Sequence, residues 1–317
     1  MSRKILHDLL TYEYEHPFDR ESLDRLERTR GLDLLTQKIL DYGFEKYLLI
    51  KHTGGNIRVT GKNIPELHNL LKEACRIVEM PNVPELYIER EDKITAFTSG
   101  EKRQIIAISS GAIESLTDDE ILFLFGRELG HIRSNHVLYR MIAESLRVVT
   151  QLISDVTLGV GNLLSMPLQM ALMHWYRMSE FTADRAGLLT CQNPEVAASA
   201  LIKTAGLPEK YQGRVSTEDL RLQAADFDGI PENTFDKLIR FAAGYENPEP
   251  FTIIRASQLF QWIDAGEYQR IMNREVVAKA LKNKGLCPAC DTPYSADENF
   301  CHKCGTRLAS ATQSVEN

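Results

Sequence analysis

The chain is short of positive charge: 37 lysines and arginines stand against 44 aspartates and glutamates, a formal net charge of −7. Proteins whose main partner is a phosphate backbone carry a basic footprint, so nucleic acid is excluded as the principal ligand. Cysteine is scarce too, with 6 in 317 residues, too few for a disulfide scaffold at this length. No internal repeat or low-complexity tract is visible. The first twenty residues include Lys4, His7, Asp8, Glu13, Glu15 and Asp19. They leave no apolar core for a secretory leader, and the cytoplasm is the expected compartment. One uncharged run, residues 156–176, is long enough in principle to cross a bilayer. Asn162, Gln169, His174, Pro167, Gly159 and Gly161 interrupt it, and no lysine or arginine asymmetry flanks it. A buried or interfacial helical hairpin is expected there in preference to membrane contact.

What is present is a core-forming composition, 43% hydrophobic and 26% charged, as in folded rather than disordered chains. The length calls for a main domain with a smaller appendage. Leu23, Leu26, Leu32, Leu34, Leu35, Ile39 and Leu40 recur at near-helical spacing. Tyr47–Lys51 and Asn56–Thr60 flank Thr53-Gly54-Gly55 and read as a hairpin. A helix over Ile64–Met80 is followed by three strand-like runs, 85–88, 94–98 and 104–109. Thr117 and Glu120 form a capping box that opens a helix expected to run to about Met141. A further helix is expected over 172–191, ended by Asn193 and Pro194, with mostly helical segments over 195–282. The residues from Leu308 onward read as a disordered tail.

Within the capped helix lies Phe125-Gly126-Arg127-Glu128-Leu129-Gly130-His131. It differs by one residue from His-Glu-x-x-His, in which two histidines on one helical face hold zinc and the glutamate activates the metal-bound water. Alone, a glutamate three residues before a histidine reads more readily as a solvated polar face. A second segment changes the balance: Arg177-Met178-Ser179-Glu180-Phe181-Thr182-Ala183-Asp184 places Glu180 and Asp184 one turn apart. Such a helix can supply a third ligand and a carboxylate that orients the ligands from behind.

On these motifs, residues 15 to 280 resemble the HtpX-like gluzincins related to the CAAX prenyl proteases, metallopeptidase family forty-eight. The family pattern His-Glu-Leu-Gly-His followed by Gly-His is met by Glu128, Leu129, Gly130 and His131, then Asn135 and His136. Its later Glu-x-x-Ala-Asp is met by Glu180, Ala183 and Asp184. The resemblance implies an α+β, mainly helical, zincin-like domain over residues 1–282 that works on protein or peptide. It implies Glu128 as general base, His131 and Glu180 as zinc ligands, Asp184 with Arg177 behind them, and the Ala96-Phe97 strand as the edge against which an extended substrate lies.

Two positions depart from the pattern. Arg127 stands where the first ligand belongs, and Glu249-Pro250-Phe251 where relatives read His-Pro-Phe. Arginine remains protonated and has no lone pair for a metal. Its planar fork does suit carboxylates, and the reading is that Arg127 replaces the metal charge among Glu128, Glu180 and Glu249. The alternative is a working zinc endopeptidase in which His136 or His174 completes the shell, although both positions are more often filled by structural histidines.

Cys287-Pro288-Ala289-Cys290 and Cys301-His302-Lys303-Cys304 form two Cys-x-x-Cys knuckles, the soft tetrahedral shell of a structural zinc. A four-cysteine zinc ribbon over 285–307 is therefore expected, stabilised mainly by its metal. Cys75 and Cys191 read as buried thiols.

Overall fold

The computed structural model describes residues 3–41, 43–101, 103–144, 165–229, 250–273, 285–286 and 293–294. Four short N-terminal helices, α1 (Thr11–Tyr14), α2 (Pro17–Glu27), α3 (Leu32–Asp41) and α4 (Phe44–Gly55), precede strand β1 (Ile57–Val59) and helix α5 (Pro65–Ile77). Strands β2 (Glu85–Glu89), β3 (Ala96–Ser99) and β4 (Ile105–Ser109) complete a four-stranded sheet in the order β1-β2-β4-β3. The short helix α6 (Ser110–Ser115) leads into α7 (Asp118–Arg133) and α8 (Val137–Glu144). After residue 165 come α9 (Met166–Cys191), α10 (Pro194–Thr204), α11 (Thr217–Asp228), α12 (Thr252–Asp264) and α13 (Glu267–Met272). The result is a mainly helical α+β domain.

The sheet is mixed. β2 and β4 run parallel with Glu85 opposite Ile105, and β3 returns antiparallel to β4 with Ala96 opposite Ile108. A parallel pair needs a crossover of a dozen or more residues; here that crossover contains β3, which is left at the sheet edge. Ile105, Ile106, Ala107 and Ile108 of β4 are all buried, as expected of a strand covered on both faces.

The hairpin expected around Thr53-Gly54-Gly55 is replaced by helix. Tyr47–Lys51 belong to α4, whose Leu48 and His52 are buried one turn apart. The two glycines end that helix, after which Asn56 is extended and the chain passes into β1, which pairs with β2. Gly-Gly marks a helix C-terminus as readily as a turn. The capped helix is also shorter than expected. Asn135 adopts a left-handed φ of 57°, and the amides of Asn135 and His136 donate to the carbonyls of Ile132 and His131 at 3.2 and 2.9 Å. That is a Schellman termination with asparagine in the left-handed position, and it turns His136 back beside His131. Of the uncharged run, Met166 to Tyr176 form the first turns of α9, and 156–164 lie outside the described residues. No described helix is long and apolar enough to cross a membrane.

α7 is buried from Glu120 to Ile132, and its closest neighbour is α9. The approach depends on small residues: a Cβ at Gly130 would lie 2.5 Å from the Ala186 methyl, and one at Gly187 would lie 2.8 Å from the Phe123 ring. Gly130→Ala is expected to lower stability by about 1–3 kcal/mol through overpacking, despite alanine's better helix propensity. Urea unfolding checks this; an unchanged midpoint would show that the helix pair can separate at no cost.

Candidate functional site

The close packing of α7 on α9 sets Arg127, Glu128 and His131 against Glu180 and Asp184. All five side chains are buried, His131 and Glu180 completely. The Arg127 guanidinium bridges the two acids, donating from Nη1 to Asp184 Oδ1 at 2.5 Å and from Nη2 to Glu180 Oε2. Glu128 accepts from the Thr98 hydroxyl of β3 at 2.7 Å and from Arg140 Nη1 at 3.2 Å. Sequence reasoning thus assembled five residues that do meet.

It missed four others. Arg140 of α8 reaches Glu128, approaches Glu180 Oε1 to 3.4 Å, and lies over the rings of Phe97 and Tyr176. Arg255 of α12 holds Asp184 in a bidentate grip, with Nε and Nη2 at 2.9 and 2.7 Å from its oxygens. Thr98 fixes Glu128. Asp19 of α2 accepts from Trp175 Nε1 at 3.1 Å and from the Thr182 hydroxyl at 2.5 Å, and faces His136 Nε2 at 3.2 Å. A charge count could have found the arginines: three buried carboxylates cannot be neutralised by Arg127 alone.

His131 Nδ1 lies 3.1 Å from His136 Nδ1. On the other side of its ring, His131 Nε2 lies 3.4 Å from Glu180 Oε1. Burial, reinforced by the Arg140 charge, pushes His131 down to about 3, so its ring is neutral at pH 7. For Glu180, burial favours the protonated form, but the Arg140 and Arg127 charges outweigh it and hold the carboxyl well below the usual range. At Glu128 burial prevails over the same two guanidiniums and raises the carboxyl. Burial of Asp19 is in turn outweighed by His136 and Thr182, which hold it low.

A zinc site needs three protein donors within about 2.0–2.3 Å of one point. Among the described residues no group of three or more His, Cys, Asp or Glu side chains could hold a metal ion. Two atoms would suit one: His131 Nε2 and Glu180 Oε1 are buried without hydrogen-bond partners. The place of a third donor is taken by the Arg127 guanidinium, and Arg140 adds a second cation beside Glu180. The described donor set does not fit zinc.

The remaining expectations divide. Ala96 and Phe97 do lie on the edge strand. His136 is a buried histidine facing Asp19, whereas His174 is exposed beside Phe18, Glu21 and Arg25, away from both the core and any ligand shell. Arg177 is half-buried; partial desolvation of the His174 ring against its neighbours lowers that ring's pKa, and the nearby Arg177 charge adds to the effect. Guanidiniums of Arg127, Arg140 and Arg255 stand against Glu180 and Asp184. Cys75 and Cys191 are buried free thiols, each pushed up to about 12 by burial. Gly285–Leu286 and Pro293–Tyr294 pair antiparallel as β5 and β6. Cys287, Cys290, Cys301, Cys304, Glu249 and the tail lie outside the described residues.

The mixed sheet with its edge strand, packed beside two helices that face Glu128 and His131 toward Glu180, defines a metallopeptidase-type α+β domain. Residues 62–263 match Peptidase family M48, and the chain belongs to that family, whose metallopeptidases are zinc-dependent. It is similar to the plastoglobule-localized metallopeptidase 48 of Arabidopsis thaliana chloroplasts, with 28% identity over 273 residues, 85% of this chain and 78% of the relative. It is also similar to protease HtpX homolog 2 of Methanosarcina mazei, with 25% identity over 57% of this chain and 67% of the relative. The protease HtpX homolog of Salinibacter ruber is 27% identical over 51% and 63%. No solved structure matches the chain.

Proposed function

We propose that this chain is a degenerate member of its family, a metallopeptidase fold that binds polypeptide without hydrolysing it. One observation carries the reading: the Arg127 guanidinium lies between Glu180 and Asp184, where a first histidine ligand and its metal would lie. A Zn²⁺ ion about 4 Å from a guanidinium would be repelled by about 8 kcal/mol at an effective dielectric near 20, and Arg140 would add to that. Arg127 supplies the positive charge that Glu180 and Asp184 require in a buried site. Zinc remains in the C-terminal ribbon, held by Cys287, Cys290, Cys301 and Cys304, where its role is structural.

A second reading has one observation in its favour. His131 Nε2 and Glu180 Oε1, 3.4 Å apart and both without hydrogen-bond partners, have the spacing of two ligands on one tetrahedral zinc. With a further donor, the chain would be an active endopeptidase using Glu128 as base. Metal analysis separates the two. The degenerate reading expects one zinc per intact chain, abolished by Cys287→Ser with Cys290→Ser, and no peptide cleavage. Two zincs per chain, with cleavage lost in Glu128→Gln, would establish the active enzyme instead.

A further inference from the structure

We infer that the pocket between α4 and the turn joining β3 to β4 binds a small amphipathic carboxylate, an organic acid whose apolar body is about the size of one ring. The site is separate from the buried ion pairs and does not depend on how they are read.

Strand register places the pocket. Thr98 turns its hydroxyl to Glu128, and successive residues of a strand face opposite ways, so the Ser99 side chain faces the other side of the sheet. Ile105 is its partner across the ladder and shares that side. Glu45, Lys46 and Leu49 come from one face of α4. Together with Gly100 and Arg103 these residues enclose about 240 Å³.

Two donors on this wall are available. Ser99 is only 2% exposed, yet its hydroxyl makes no hydrogen bond among the described residues. A buried polar group is costly to leave unpaired, and this one lines the pocket. The second donor is the exposed Lys46 ammonium, which makes no ion pair or hydrogen bond among the described residues. The other charged groups on the wall are engaged: Glu45 accepts from the Glu101 amide at 2.8 Å, and Glu85 holds Arg103 at 2.6 and 2.9 Å. Leu49 and Ile105 supply the apolar surface.

This combination selects the ligand. A carboxylate accepts at two oxygens, one for each donor, whereas a phosphate brings more oxygens than two donors serve. The apolar surface requires a body as well as a head. An apolar cavity of roughly 150 Å³ accepts benzene, so 240 Å³ has room for a ring together with its carboxylate.

The test is a fluorine NMR titration of the full-length protein with para-fluorobenzoate and with the uncharged para-fluorobenzyl alcohol. The acid should bind about threefold tighter or more, the margin of one charge-assisted contact at an exposed lysine. Lys46→Gln should abolish that margin, Ser99→Ala should weaken both probes, and Leu49→Trp, which fills the pocket, should block both. Circular dichroism checks the fold of each variant; should Leu49→Trp not fold, the other two carry the test. Competition then separates the sources of the acid: equal displacement by hexanoate and dodecanoate identifies a short acid, and stronger displacement by dodecanoate a fatty acid whose tail leaves the pocket mouth. Equal binding of acid and alcohol to the wild type would overturn the carboxylate site and leave an apolar cleft. No binding of the acid, or binding unchanged in Lys46→Gln and Ser99→Ala, would overturn the proposal outright.

Discussion

Arg127→Ala is expected to lower the stability of the protein by about 3 kcal/mol, toward the lower end of what removing one partner of a buried ion pair costs. The loss arises from what is left behind. Glu180 Oε2 and Asp184 Oδ1 both accept from this guanidinium in a site with almost no solvent access. Without it Glu180 keeps, among the described residues, Arg140 and the neutral His131 ring, each at 3.4 Å, whereas Asp184 retains its bidentate partner Arg255. That asymmetry places the cost in the lower part of the range and identifies Glu180 as the group that suffers. Adding Glu180→Gln to Arg127→Ala should therefore restore about 1–2 kcal/mol, since the orphaned charge disappears. Adding Asp184→Asn should restore less, because it strands Arg255. Urea unfolding of the four proteins measures these couplings. A loss below about 1 kcal/mol in Arg127→Ala, with no recovery on Glu180→Gln, would mean that the guanidinium does not neutralise the carboxylates.

The same residues show how far the sequence could be read. Both motif helices and the three strands around 85–109 follow from local signals, a capping box, period-2 runs and polar residues four apart on one face, whereas the meeting of Arg127 with Glu180 was implied by the family resemblance. The arginine cluster does not follow from them. Arg140 reaches Glu128 only because Asn135 takes a left-handed conformation and ends α7, so that α8 folds back over the site. A helix running on to Met141 would have carried Arg140 elsewhere. Arg255 comes from α12, 71 residues beyond Asp184, and no pattern near it marks it as different from a surface arginine. Asp19 sits in an N-terminal helix outside both motifs yet anchors Trp175, Thr182 and His136. What the sequence left hidden is thus long-range pairing, fixed by packing rather than periodicity. The one available clue was electrostatic, since Glu128, Glu180 and Asp184 buried together require more than one cation.

Arg127→His should raise zinc uptake from one to two ions per chain. The substitution places imidazoles at 127 and 131, four residues apart on one helical face, beside Glu180 Oε1, which already lies 3.4 Å from His131 Nε2. The low pKa of His131, about 3, keeps its lone pair available at neutral pH, and metal binding then has no proton to displace there. Asp184, released from Arg127, becomes free to orient the new imidazole, the arrangement by which carboxylates behind metal-bound histidines raise affinity roughly 10- to 100-fold. Arg140 works against the gain, because its guanidinium still stands beside Glu180. Zinc titration of Arg127→His therefore belongs with Arg127→His plus Arg140→Gln, with circular dichroism as the check on folding. A second zinc in the single variant shows that Arg127 alone closes the site. One that appears only when Arg140 is also neutralised shows that two cations share the exclusion. A well-folded double variant without a second zinc would show that His131 and Glu180 are not a latent ligand pair.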